Sequence, residues 1–187
     1  IDSVELSNLN RQILHSSSDL DKAKSDSAFE TLSQLNPEIS IATFCISVND
    51  TNIDEVAKEA DIIVDCLDNI STRIILNNYS LKNRIPIMHA GIDSWTGQIT
   101  LLDPPHTACM NCLFDQYEEN NKPKPVLGAI VGIVGTVQAL EVIKHLIGVG
   151  KSLKNHLLNF DGLNQEWTKL DLQKYKDCKV CNNQSPL

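Results

Sequence analysis

The chain is predicted to be an α/β protein, Rossmann-like, with parallel strands followed by antiparallel strands in one mixed sheet. Three observations carry this reading. From residue 39 to residue 90 short apolar runs alternate with helical patterns, the signature of parallel β–α units. One of those runs, Ile62-Ile63-Val64, is unbroken and β-branched, as a strand covered on both faces requires. Beyond Gly91 the strands are longer and follow turn residues, and the last two flank Gly162-Leu163-Asn164 as an antiparallel pair.

The elements follow in order. Ile1 to Glu5 reads as the last residues of a strand and its exit loop, so the chain is expected to begin inside a domain. Ser16 to Asp21 offers several helix caps, and a helix runs from about Lys22 to Leu35, stopping before Asn36-Pro37. Its apolar stripe is Ala28, Leu32 and Leu35, with Phe29 alongside; carried back one turn it reaches Lys24. That lysine is either a snorkelling side chain or a cation aimed at an anion by the sheet edge. Ile39 to Ile46 alternates as a strand, and Asn52 to Ala60 reads as a short helix capped near Thr51 or Asn52. The central strand follows, ending in Asp65-Cys66-Leu67-Asp68-Asn69, and then a helix from Ile70 to Asn83.

Pro86 to Ala90 is the next strand and Trp95 to Leu102 a longer one, stopped by Asp103-Pro104-Pro105. Gln116 to Pro125 has the composition of a mobile loop. Val126 to Val149 reads as a buried helix, its uncharged part well short of the ~20 residues that span a bilayer. Gly128, Gly132 and Gly135 would let another backbone approach it, within the core or across a subunit interface. Asn155–Asp161 and Glu166–Leu172 form the closing strand pair.

Composition narrows the function classes. A net charge of −8 argues against a general nucleic-acid binder, which needs excess Lys and Arg. Ile1 to Asn10 is polar without a basic n-region, so no signal peptide is visible and a cytoplasmic location is expected. Thiols stay reduced there, and paired cysteines then favour a metal over a disulfide. Of the six cysteines, Cys45 and Cys66 sit alone in expected strands as small hydrophobes. Cys109, Cys112, Cys178 and Cys181 form two C-x-x-C pairs, which suit one tetrahedral zinc. Four protein ligands leave no open position, so this zinc is structural and staples the tail to the body. Two redox dithiols are the competing reading.

A second group is Asn8, Arg11, Lys24, Asp68 and Arg73. In a parallel sheet all five fall on loops or first helical turns at one edge. In open α/β sheets ligands bind at the carboxyl ends of the strands. Cations there suit polyphosphate, and a carboxylate suits Mg²⁺. Each residue also has a plain reading: Asp68 as a helix N-cap, Arg73 as the partner of Asp65 or Asp68.

The motifs Ser7-Asn8-Leu9-Asn10-Arg11-Gln12, Lys24, and Asp65-Cys66-Leu67-Asp68-Asn69 with Arg73 occur in order along nearly the whole chain. Gly97-Gln98, Cys109-x-x-Cys112, Gly132-x-x-Gly135-x-x-Gln138-Ala139-x-Glu141-x-x-Lys144 and Cys178-x-x-Cys181 complete the series. Together they resemble the MoeB/ThiF family, relatives of the ubiquitin-activating enzymes. The resemblance implies ATP-dependent adenylation of the carboxyl-terminal glycine of a small ubiquitin-like sulfur carrier ending in Gly-Gly, as in molybdopterin or thiamine synthesis. It implies that Asn8, Arg11 and Lys24 contact the ATP phosphates, Asp68 holds Mg²⁺, and Arg73 supports the nucleotide site, with Arg11 and Asp68 catalytic. It implies zinc on the four paired cysteines and a homodimer with the Gly132 region near its interface.

On this reading residues 1–187 are a single adenylation domain, incomplete at its amino end. Residues 1–91 are the rest of the nucleotide-binding part, and 92–187 serve carrier binding, dimerisation and zinc. The family's Gly-rich nucleotide loop and its ribose-gripping acidic residue would lie before Ile1, so this piece alone is expected to bind ATP poorly. The segment 113–125 has no cysteine, so no enzyme thioester or persulfide is expected. Two other functions fit the motifs: adenylation of another substrate, such as a peptide carboxyl end or a tRNA base, and an inactive zinc-stapled dimerisation partner.

Overall fold

The computed structural model describes residues 2–114 and 125–182. Its helices are α1 (Lys24–Leu35), α2 (Ile53–Ala57), α3 (Ile70–Asn83), α4 (Met110–Phe114) and α5 (Gly128–Ile147). Its strands are β1 (Ile63–Asp65), β2 (Ile87–Asp93), β3 (Thr96–Leu102), β4 (His156–Asp161) and β5 (Glu166–Asp171). They form one sheet in the order β1-β2-β3-β4-β5. β1 and β2 are parallel, joined by the crossover helix α3. Each later neighbour is antiparallel, so the mixed sheet is the one expected.

Alternation along β2 divides the core. Met88 packs on one face with Ile99, Leu101, Ile130, Val134 and Phe160, under α5. Ile87 turns to the other face with Leu102 and Met110. Full burial of such side chains is worth roughly 1.5–3 kcal/mol each, and these two clusters fix the register. α2 is pinned to α3 by a third cluster, Ile53, Ala57 and Tyr79, and by the Tyr79 hydroxyl donating to Asp54 Oδ1 at 3.0 Å.

Several expectations are corrected. Residues 39–46 are not a strand: they pair with no ladder, and Ile39 and Phe44 are exposed. Among the described residues β1 pairs only with β2, no strand covers its other edge, and Val64 is 45% exposed. Central burial on both faces was the expectation for that run, and only one face has it. α1 begins at Lys24 without a side-chain cap; the Ser16 and Asp19 side chains instead cap a 3-10 turn over Ser17–Asp19. Leu35 of the expected stripe is 78% exposed, and Ser27 is the one buried residue of α1. Cys45 and Cys66 are both exposed and lie outside strands, so neither is a core hydrophobe.

The long apolar helix is also corrected. α5 has 20 residues, and among the described helices it alone is long and apolar enough to cross a membrane. It is not buried all round. Ile130, Val134, Gln138 and Glu141 face the sheet, a spacing of three to four that selects one face. Leu140, Ile143, Leu146 and Ile147 lie on the outside, each more than half exposed. Gly148 ends the helix in the left-handed conformation (φ 70°) that favours glycine. The loop expected over 116–125 lies, but for Pro125, outside the described residues, as does the extreme tail.

Candidate functional site

The site is built at the carboxyl end of β1. Backbone emerging there must pass from ladder to helix within four residues, Cys66 to Asn69, before α3 begins. Asn69 is the N-cap: its Oδ1 accepts from the Thr72 N–H at 2.9 Å. Asp68 is therefore not the cap. Its carboxylate is exposed and makes no hydrogen bond or ion pair among the described residues.

The turn beneath Asp68 is held from below. Asp65 is fully buried, and its Oδ1 accepts from the Leu67 N–H at 2.9 Å. Its Oδ2 accepts from Arg73 Nε at 2.9 Å, so Arg73 pairs with Asp65 rather than Asp68. The same guanidinium donates to the Leu67 carbonyl, and to the Ala90 carbonyl at 3.2 Å. From α5, Gln138 Nε2 donates to the carbonyls of Asp65 and Met88, both at 3.0 Å. One side chain thus bridges the ends of β1 and β2. The Cys66 thiol points to Gln138 Oε1 at 3.7 Å.

His89 completes this layer and was no part of the sequence-derived set. It is the Cα partner of Asp65 in the parallel ladder, and its Nδ1 lies 2.6 Å from Asp65 Oδ2. Burial holds its pKa below the usual histidine value, against the pull of Asp65. The sequence signal was slight: one imidazole in an apolar strand, one element after a strand ending in Asp.

Asn8 and Arg11 belong to another turn. Asn8 is buried, and its carbonyl accepts from the Arg11 N–H at 3.1 Å and the Gln12 N–H at 2.9 Å. Arg11 donates to the Ser7 carbonyl at 3.0 Å and to Asn10 Oδ1 at 2.8 Å, and no carboxylate pairs with it among the described residues. This turn leans on the start of α5: a Cβ at Gly128 would collide with the Asn10 carbonyl oxygen, so only glycine admits the contact. Gln12 Oε1 is buried without a hydrogen-bond partner among the described residues. Lys24, the first residue of α1, pairs with Asp2, which answers the snorkelling reading with an ion pair. No hydrogen bond or ion pair joins the Asn8–Arg11 turn, Lys24 and Asp68 among the described residues. Arg73 and Asp65 are the pair that the fold brings together.

The paired cysteines do converge. The sulfurs of Cys109, Cys112, Cys178 and Cys181 all lie within 4.8 Å of one another. Cys109–Cys112 and Cys109–Cys178 are each 3.8 Å apart, and Cys112–Cys181 is 3.5 Å. Four thiolates about 2.3 Å from one metal would sit roughly 3.8 Å apart, so the four fit a tetrahedral ion. Close contacts thus run between the two pairs as well as within one. Local backbone makes each knuckle, with the Cys112 and Leu113 N–H groups donating to the Cys109 carbonyl. The Tyr175 N–H donates to Cys112 Sγ at 3.4 Å. Burial pushes the Cys109 thiol up to about 12 and raises Cys181 further. At Cys178 burial also pushes upward, but hydrogen bonds from the Cys181 and Val180 N–H groups outweigh it and bring the thiol to about 7. A metal would take all four as thiolates and release their protons.

Comparison with known proteins agrees with this architecture. The chain is 35% identical over 184 residues to the sulfur carrier protein ThiS adenylyltransferase of Escherichia coli K12, covering 96% of this chain and 73% of that protein. It is 36% identical to the adenylyltransferase and sulfurtransferase MOCS3 of Xenopus laevis, covering 98% of this chain but 42% of that protein. The SAMP-activating enzyme E1 of Haloferax volcanii is 35% identical, with 96% and 68% covered. The crystal structure of E. coli MccB with ATP superposes with a TM-score of 0.84 at 24% identity, over 97% of this chain and 58% of MccB, and shows the shared fold. Residues 1–182 match the ThiF family, and the chain belongs to it.

Proposed function

We propose that this chain is the adenylation domain of an enzyme that activates the carboxyl-terminal glycine of a ubiquitin-like sulfur carrier, of the thiamine or molybdopterin type. The observation that carries the reading is Asp68. The fold supplies a separate cap, Asn69, and a separate partner for Arg73, Asp65, so nothing structural claims the Asp68 carboxylate. A free carboxylate at the carboxyl end of a parallel strand is where a metal–nucleotide complex binds. Three relatives that this chain resembles over 96% or more of its length are named as adenylyltransferases or an activating enzyme.

The chemistry asked of these residues is placement and charge. A carboxylate oxygen of the carrier's last glycine attacks the α-phosphorus of ATP. The bond between the α-phosphorus and the bridging oxygen breaks, pyrophosphate leaves with that oxygen, and an acyl-adenylate remains. Mg²⁺ on Asp68 would neutralise phosphate charge. Arg11, free of any carboxylate among the described residues, would bind phosphate oxygens as the charge migrates, with Asn8 and Lys24 beside it. Lys24 must exchange Asp2 for phosphate, which the exposure of the Asp2 carboxylate permits. Zinc is the metal proposed for the four cysteines, in a structural role.

The outer face of α5 is proposed to meet a second copy of the chain. Gly132 and Gly135 face open space, which removes the core from the two roles their spacing allowed. The exposed Leu140, Ile143 and Ile147 continue that face. ATP–pyrophosphate exchange by the full-length protein, with and without a Gly-Gly-ending carrier from the same source, tests the reading. Carrier-dependent exchange supports it. Exchange without the carrier points to another carboxylate substrate, and none in a folded, metal-loaded protein points to an inactive partner.

A further inference from the structure

His89 is fully buried, yet it has specific neighbours at both ring nitrogens and at its edge. Nδ1 lies 2.6 Å from Asp65 Oδ2, and Nε2 lies 3.3 Å from Gln98 Nε2. The ring stands edge-on to Phe114, with centroids 5.3 Å apart, and Arg73 lies over that same phenyl ring, 5.7 Å from its centroid. These neighbours set the tautomer. A carboxylate only accepts, so Nδ1 carries the proton; the Gln98 amide nitrogen only donates, so Nε2 is bare. Burial in this setting favours the neutral ring.

The consequence lies one residue further on. Asp65 Oδ2 is shared by two donors, His89 and Arg73, while Oδ1 fixes the Leu67 N–H. Asp68 makes no hydrogen bond or ion pair of its own among the described residues, so its position is inherited from this turn. We propose that His89 is a positioning residue: by donating from Nδ1 to Asp65 it orients the carboxylate that shapes the 65–68 turn, and so sets where Asp68 meets Mg²⁺–ATP. This rests on the reading of Asp68 given above.

Two amide substitutions separate positioning from packing. In His89→Asn the side-chain amide stands near the Nδ1 position and still reaches Asp65. In His89→Gln it stands near Nε2 and does not. The Mg²⁺ concentration giving half-maximal ATP–pyrophosphate exchange is expected to rise about tenfold in H89Q and to stay within about twofold in H89N, the range of effects seen when the support of a metal ligand is removed. The same Mg²⁺ dependence in the unsubstituted protein and in H89Q would overturn the proposal while leaving the functional reading intact. No exchange in the unsubstituted protein would overturn both. Nitrogen-15 spectra of the unsubstituted protein give a check that no variant's folding affects: the Nδ1-protonated tautomer is expected, and an Nε2-protonated ring would overturn the proposal.

Discussion

Asp68 and Asn69 stand side by side at the start of α3, and only Asn69 caps it. Asn69 satisfies an open N–H of α3, and removing a cap of this kind costs about 1 kcal/mol. Asp68 makes no hydrogen bond or ion pair among the described residues, and the role proposed for it is chemical. One layer down, Asp65 is buried between Arg73 and His89. His89 also makes stability depend on pH. Its pKa is lowered in the folded chain by burial, with Arg73 adding to this and Asp65 opposing, so below the ordinary value of 6.5 the unfolded chain takes up a proton that the folded chain refuses. Stability contributed by the neutral ring is present above that value and lost as pH falls below it. The urea midpoint should therefore drop from pH 7.5 to pH 5.5, and His89→Asn should lessen the drop. An equal drop in both proteins would show that His89 ionises freely.

Two elements carry consequences beyond their own packing. α5 puts Gln138 under the site on one face and open glycines on the other. In a lone chain Gly135→Ala should stabilise the helix by about 1 kcal/mol, since alanine loses less backbone freedom. If a second copy lies against this face, the added methyl group should weaken the dimer instead. Sedimentation and thermal melting together decide: a higher melting point with unchanged association would place the dimer contact elsewhere. Cys109, just before α4, and Cys112 within it face the tail cysteines, and Asn77 of α3 accepts from the Met110 N–H of α4 at 2.9 Å. Removing the metal should expose residues 175–182 to hydrogen exchange and proteolysis while β2 and β3 stay protected. Protection of the tail without metal would show that the cysteines hold it by packing alone.

At the scale of the molecule, the sheet separates into the part whose signals are local and the part whose signals are not. β1, α3 and the closing hairpin were legible because run length and turn residues lie within each segment, although the cap of α3 is Asn69 and not Asp68. The same holds for the four cysteines, whose two C-x-x-C spacings pointed to one shared site that could hold a metal. Residues 39–46 misled because alternation predicts a strand only where a neighbouring strand offers a ladder. α5 misled because overall apolarity hides which face is covered. Its buried set, Ile130, Val134, Gln138 and Glu141, includes two polar residues that composition would place outside. His89 and Gln138 escaped because their meaning depends on a partner brought close by the parallel register, at Asp65.

The central claim is that Asp68 serves the nucleotide and Asn69 the helix. ATP–pyrophosphate exchange and thermal melting of Asp68→Ala and Asn69→Ala, in the full-length protein, test it most directly. The account predicts that Asp68→Ala loses exchange by about 10²-fold or more at an unchanged melting point, in keeping with loss of a charge-stabilising group. Asn69→Ala should lower stability by about 1 kcal/mol and keep most of its exchange. A less stable Asp68→Ala that still exchanges at the unsubstituted rate would contradict it.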